Sequence, residues 1–322
     1  MAKFLLRRIA AAFLLLLLVL TVTFFLIHAA PGDPVSLFEN TNMTAAQHAH
    51  LLELYGLDRP LPVQYVDWLS AVVLDGNWGF SFATQRPVAS LVAEALPATL
   101  LLAGTALAIQ YGLGLLLGVA AARRPGRAAD HLIRFLSLLV YSQPVFWLGL
   151  MAVLLFSLTF PLLPASHMHS VGAAELGTAA WLADLVRHLA LPALVIGLHG
   201  AAQSARYVRG SLLEVLSRDY ITAARAKGLS ELRVVWVHGV RNALLPLIQV
   251  FAISLSGLLS GAVATEVVFA WPGIGRLTFD SIFARDYPVV LATTAFGAAL
   301  VIGGNLLADV LQGWADPRLR DV

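Results

Sequence analysis

The chain contains no cysteine. That absence removes a disulfide framework, a thiolate metal site and a cysteine nucleophile together. Charge is also scarce: 12% of the 322 residues are Asp, Glu, Lys or Arg, while 59% are hydrophobic. A soluble domain carries roughly 25% charged residues, and a solvated surface cannot be built from so few. Most of the chain must therefore contact lipid or other apolar helices. Only two lysines occur, Lys3 and Lys227, and neither follows a glycine. A phosphate-binding loop of the G-x-x-x-x-G-K-[ST] type is thus impossible. G-x-S-x-G and H-E-x-x-H are missing too, which removes two common hydrolase signatures.

What the chain has in quantity is long apolar runs. Crossing about 30 Å of hydrocarbon takes roughly 20 residues, and six stretches qualify. They are Ile9 to His28, Ala98 to Ala122, a span within Leu132 to Leu162 that contains Pro144, His188 to Tyr207, Leu244 to Phe269, and Val289 to Trp314. The first follows Lys3, Arg7 and Arg8, as a secretory signal would. Its apolar run exceeds the usual 7–15 residues of a signal core, and His28-Ala29-Ala30-Pro31 is a poor cleavage site, so an uncleaved helix is expected. Between the first two runs, residues 31–96 carry their own apolar periodicity. Thr44 and Gln47 read as a capping box before a short helix ended by Gly56. Leu61 to Leu74 reads as a second amphipathic helix, stopped by Asp75-Gly76.

The predicted fold is an all-α polytopic membrane protein of six transmembrane helices. Residues 1–30 form the first helix with its N-terminal flank, and 31–96 a small outer domain. Residues 97–314 form a five-helix core with a long loop at 209–242, and 315–322 a tail. The positive-inside rule orients it. With both termini cytoplasmic, sixteen of the 21 Lys and Arg residues fall inside, seven of them between Arg206 and Arg241. Five remain outside: Arg59, Arg86, Arg187, Arg276 and Arg285. Losing one helix would invert the later loops and scramble this bias.

Ionisable residues deep in a span usually mark an ion pathway, and here they are few. His199 falls in span four and is read as a packing histidine bonded to a backbone carbonyl. Glu266 and Asp309 are read as interfacial, near the ends of spans five and six. His48-x-His50 and His167-x-His169 have spacings compatible with a transition metal, but neither has an obvious third ligand, so no metal site is assigned. Gly114-x-x-x-Gly118 and Gly257-x-x-x-Gly261 permit close helix approach. Ser254, Ser256, Ser260 and Thr265 on span five are candidate pathway-lining residues.

The stretch 209–242 is too long and too structured for a connector. Asp219 is placed to cap a short helix from Tyr220 to Lys227. Ala223, Ala224 and Ala226 favour that helix, Gly228 ends it, and Ser230 is placed to cap the next. The two helices would form a compact knob. Its alanines suit close docking into a groove, with Arg218, Arg225 and Lys227 adding charge. A basic loop facing lipid headgroups would look much the same.

Thr222-Ala223-Ala224-Arg225-Ala226-Lys227-Gly228-Leu229, followed by Arg241-Asn242-Ala243-Leu244-Leu245-Pro246, resembles the EAA coupling loop of ABC importer permeases. It is most similar to the dipeptide, oligopeptide and nickel branch. The resemblance extends along nearly the whole chain. Leu54 to Tyr65 resembles the family's first outer segment, Leu96-Pro97-Ala98-Thr99-Leu100 the opening of its second span, and Asp316-Pro317-Arg318 its tail. Phe269 to Arg276 and Arg285-Asp286-Tyr287-Pro288 resemble its last outer loop. Thr222 departs from the general motif, which has Glu there, so the carboxylate contacts of that position are missing.

The resemblance implies a permease subunit of an importer in the bacterial inner membrane. Its partners would be a second homologous permease, two ATPase subunits, an external substrate-binding protein and membrane lipid, with no nucleic acid. The chain itself would be no enzyme and hold no cofactor; ATP and Mg would sit on the ATPases. Asp219, Thr222, Ala223, Ala224, Arg225, Lys227 and Gly228 would dock on an ATPase, and nucleotide-driven closure would turn the spans from inward-open to outward-open. Cargo stays open between peptides, common in the family, and nickel or a metal chelate. Ser81 to Val88 and the histidine pairs lean toward nickel. The alternatives are a secondary transporter, which needs an internal repeat and a midplane ion site, and a membrane enzyme, which needs a nucleophile beside a base. Neither signature is visible.

Overall fold

The computed structural model describes residues 2–29, 57–243 and 263–315. Its long elements are helices: α1 (Ala2–Ala29), α2 (Leu61–Asp75), α3 (Val88–Arg123), α4 (Ala128–Tyr141), α5 (Val145–Val153), α6 (Thr178–Leu216), α7 (Asp219–Ala226), α8 (Ile274–Phe283) and α9 (Tyr287–Ala315). Among the described residues, four helices are long and apolar enough to cross a membrane: Leu6–Ala29, Val88–Arg123, Thr178–Leu216 and Tyr287–Leu307. The predicted fifth span lies mostly outside the described residues, as do the Thr44–Gln47 capping box, His48, His50 and the Gly257–Gly261 pair.

The third predicted span is broken. The α4 helix and the segment Val145–Thr159 meet at a bend of 98°. Pro144 is the cause: it has no N–H to donate, and it pushes the preceding residue out of helical conformation. Beyond α5 the chain finishes as a π-helical turn, Leu154–Thr159.

Two compact units divide the chain. The first comprises Met1–Ala98 and Gly273–Ile302. Here α2 ends as expected at Gly76, in the left-handed region at φ 63°. It packs on α1 through a Thr21–Tyr65 hydroxyl pair at 2.7 Å and through the ring of Phe24, 5.3 Å from Tyr65 and 5.5 Å from Trp68. The other side of α1 exposes Leu14, Leu15 and Leu18, a surface only lipid or another apolar helix satisfies. Helix α3 begins at Val88 rather than near Ala98, and Pro97 lies inside it. The reason is packing: Val88, Val92 and Ala95 form one stripe against Ile274, Val289 and Ala292, which outweighs the single backbone bond Pro97 removes.

The second unit comprises Thr99–Pro272 and Gly303–Val322. Its centre is the crossing of α3 with α6. A Cβ on Gly114 would lie 2.6 Å from Ser204 Cβ, and one on Gly118 2.5 Å from Val208 Cβ. The approach is mutual, because Gly197 on α6 leaves the same room for Ile109 on α3. The Gly114–Gly118 spacing is therefore a helix-packing seam of the small-x-x-x-small kind. Gln110 and Ser204 share a buried hydrogen bond of 3.3 Å within it.

Candidate functional site

The knob predicted in 209–242 begins later than its sequence suggests, because α6 continues to Leu216. Arg206 and Arg209 are thus helical residues, not loop residues. Arg209 is committed: its Nε donates to Asp130 Oδ1 at 2.6 Å and its Nη2 to Oδ2 at 2.8 Å. Asp130 is buried on the first turn of α4, and it also accepts the Gly126 N–H at 2.9 Å. A two-pronged, charge-assisted pair of this kind fixes direction as well as distance. It locks the turn between α3 and α4 to α6, about two turns before α6 ends at Leu216.

Helix α7 follows after Ser217 and Arg218. Asp219 is the first helical residue, not the cap; Arg218 holds the cap position and no side chain bonds the free N–H groups. The Asp219 carboxylate still suits the positive end of the helix dipole. The other end closes with two bonds, Gly228 N to Arg225 O at 2.9 Å and Leu229 N to Ala224 O at 3.4 Å. That is the Schellman pattern, with Gly228 at φ 78° in the left-handed region and Leu229 packed beside Ala224. A Cβ at Gly228 would meet no atom within 4 Å. Glycine is needed there for its backbone, not for space.

The faces of α7 are unequal. Ile221 and Ala224 are buried against Val234, with Leu216 and Leu229 beside them. Thr222, Ala223, Arg225, Ala226, Lys227 and Gly228 are exposed. Ala224, grouped by the sequence with the docking residues, thus lies in the buried layer under α7. Ser230 sits at the cap position of the next turn, Glu231–Arg233, without a side-chain cap bond. The chain then runs as a π-helical segment, Val234–Val240, followed by the helical turn Arg241–Ala243. Val235, Val240 and Ala243 join Val119, Ala122, Val208 and Leu212 in one buried cluster. Asn242 adds a bond from its Nδ2 to Tyr220 Oη at 3.0 Å, and Ser211 Oγ donates to Ala243 O at 3.2 Å. The knob is fused to the ends of α3 and α6 and must move with them.

The other predicted site residues fare differently. Ser254, Ser256 and Ser260 lie outside the described residues, and Thr265 is enclosed within the chain. Glu266 is fully buried within the chain, and Thr99 Oγ1 donates to its Oε1 at 2.8 Å. Its burial comes from tertiary packing of two segments 167 positions apart, which hydropathy does not register. His167 and His169 turn to separate partners, Ser166 at 2.9 Å and Asp184 at 3.0 Å. Sequence reasoning missed one cluster altogether. Asp286 is buried, and it accepts the N–H groups of Phe82 at 3.0 Å and Ala83 at 3.2 Å and the hydroxyl of Ser81. This carboxylate shapes the loop 80–87. The only sequence hint is that the motifs Ser81–Val88 and Arg285–Pro288 both stand out as patterns.

Comparison with known proteins identifies the family. Residues 114–321 match the model of the family described as binding-protein-dependent transport system inner membrane component, and residues 1–103 match the corresponding N-terminal model. The oligopeptide transport system permease protein AppB of Bacillus subtilis is 38% identical over 99% of this chain and 100% of its own length. The di/tripeptide transport system permease protein DppB of Pseudomonas aeruginosa is 41% identical, and the dipeptide transport system permease protein DppB of Escherichia coli is 37% identical, each over 99% of both chains. Among solved structures, the MetNI methionine ABC transporter in inward-facing conformations shares the fold, with a TM-score of 0.50 at 20% identity over 72% of this chain and 96% of that one. The chain belongs to the family of binding-protein-dependent transport system inner membrane components, as an ABC importer permease.

Proposed function

We propose that this permease moves di- or oligopeptides into the cytoplasm, with six spans and both termini inside. It works beside a second, similar permease, above two ATPases that hold ATP and Mg, and below an external binding protein. The names of its full-length relatives favour peptides over nickel or a metal chelate. The observation that carries the mechanism is the packing of α7 on Val234 and of the following segment, through Val235, Val240 and Ala243, on the ends of α3 and α6. Thr222, Ala223, Arg225, Lys227 and Gly228 form the exposed contact for an ATPase groove, with Asp219 at its edge, while Ala224 holds the helix in place from behind. When the ATPases close, a knob without internal slack passes their displacement to the spans, a rigid-body gate.

The test is reconstitution of the chain with its partner permease, ATPases and binding protein in liposomes. ATP-dependent accumulation of a radiolabelled dipeptide is expected, and Gly228→Val should abolish it while membrane insertion stays normal. Full transport by that variant would remove the coupling role. Accumulation of Ni²⁺ without dipeptide would overturn the cargo.

A further inference from the structure

A second polar constellation lies at the break between α4 and α5. In lipid every backbone polar group needs a partner, so an interrupted helix at membrane depth survives only where it is enclosed by protein or lines water. Among the described residues this chain does not enclose the break: Tyr141, Ser142 and Pro144 are exposed and Gln143 is half-buried. Helix α4 ends at Tyr141, so the carbonyls at the break lie outside its regular ladder of N–H partners. His199 of α6 serves them instead, with its ring in hydrogen-bonding reach of the Tyr141 and Gln143 carbonyls. The same ring stacks on Tyr141 at 5.5 Å with the planes 24° apart.

Arg206 completes the group. It lies two turns beyond His199 on the same face of α6, and its guanidinium sits 5.0 Å over the Tyr141 ring. It is exposed, and no carboxylate among the described residues pairs with it. Arg209, three positions on, is the contrast: its fork is spent on Asp130. An arginine held flat by an aromatic face keeps its in-plane donors free for an incoming oxyanion. An ionisable side chain facing a break in a membrane helix is a functional position by default.

We propose that Tyr141, Ser142, Gln143, His199 and Arg206 form a substrate-contacting station on the translocation pathway, where Arg206 meets the C-terminal carboxylate of the transported peptide. The inference rests on the peptide-importer reading above and deepens it. The terminal carboxylate is the one anionic group every peptide carries whatever its side chains. A fork aimed at it therefore serves a pathway that accepts many sequences. The Ser142 hydroxyl and the carboxamide of Gln143 supply neutral hydrogen bonds to the peptide backbone, which pass cargo on without trapping it.

The chain has no cysteine, so single cysteines report cleanly. In the reconstituted transporter turning over ATP, Ser142→Cys should react with the membrane-impermeant reagent methanethiosulfonate ethylsulfonate, and a free-acid dipeptide should slow that reaction. Leu138→Cys, which faces outward from α4, should stay unreactive. Arg206→Gln should lower uptake of the free-acid dipeptide about tenfold relative to its C-terminal amide, as expected for loss of one charge-assisted contact. Uptake of the amide by the same variant also reports that it is folded. The proposal fails if Ser142→Cys is unreactive throughout turnover. It fails equally if dipeptide does not protect it, or if Arg206→Gln lowers acid and amide uptake alike. A wild-type transporter that carries Ni²⁺ and no dipeptide overturns the peptide reading and the carboxylate assignment with it, whereas dipeptide uptake with equal losses overturns the assignment alone.

Discussion

The knob at 219–243 and the loop at 80–87 are both held in shape by side chains far away in sequence, but by opposite means. The knob is held by apolar packing. Ile221, Ala224 and Val234 make its inner layer, Val235 and Val240 weld it to α6, and glycine closes α7. The loop is held by one buried carboxylate, Asp286, which collects two backbone N–H groups and a hydroxyl 203 to 205 positions away. Packing spreads the work over many contacts, so a single loss is tolerated. A carboxylate concentrates it, so one substitution releases the whole loop. A lever benefits from the first design. A loop that must hold one conformation while exposing its own side chains is served by the second.

Substitutions can break this contrast in graded steps. The largest effect is expected at the anchor beneath the knob. Asp130→Ala strands the Arg209 guanidinium, and removing one partner of a buried pair costs about 3 kcal/mol or more. The melting point of the purified protein in detergent should fall sharply. A variant with the wild-type melting point would show that the knob's packing suffices without the ion pair. Next comes Asp286→Ala, which leaves the N–H groups of Phe82 and Ala83 without their acceptor, at about 2 kcal/mol for hydrogen bonds to a charged group. Limited proteolysis should then cut within 80–87 while the knob stays resistant. Equal resistance in both regions would overturn the single-carboxylate account of the loop.

Gly228→Val forces a β-branched residue into the left-handed region, at about 1–2 kcal/mol, with no clash to add. Its stability loss should be small beside its loss of transport, and Gly228→Asn should recover much of the transport, because Asn tolerates that backbone conformation. Rescue failing with Asn would shift the role of Gly228 from backbone to contact surface. The smallest effect is expected for Arg225→Ala. Its pair with Glu231 is exposed on both sides, and such pairs contribute under about 1 kcal/mol. Any large loss of transport without loss of stability would then report an interface contact for Arg225.

How much of this was legible beforehand varies by element. The helix around Ala223 and its stop at Gly228 could be read directly, because alanine propensity and a terminal glycine are local properties. The end of α2 at Gly76 was legible for the same reason. The start of α3 was not. Pro97 looked like a boundary, and only the stripe of Val88, Val92 and Ala95 against a later helix extends α3 through it. Pro144 announced a break, but the 98° turn depends on what α4 and α5 pack against. Arg209 was counted as loop charge and is instead a half-buried helical residue anchored on the buried Asp130. Glu266 was read only by its depth in the span, and its enclosure within the chain was not legible.

The sequence by itself determined the solvent this chain lives in, the lack of a phosphate-binding loop of the G-x-x-x-x-G-K-[ST] type, the approximate place of four spans and the family. Each follows from composition, from contiguous hydropathy or from short motifs, and none needs knowledge of which residues meet. Tertiary structure alone decided which face of α7 is presented, which arginine is spent and which is free, and which carboxylates are buried. The face of α7 is set by Leu216, Leu229 and Val234 nearby in the chain, whereas the arginines and carboxylates depend on pairings between segments about 65 to 205 positions apart, where neither period nor propensity carries any signal.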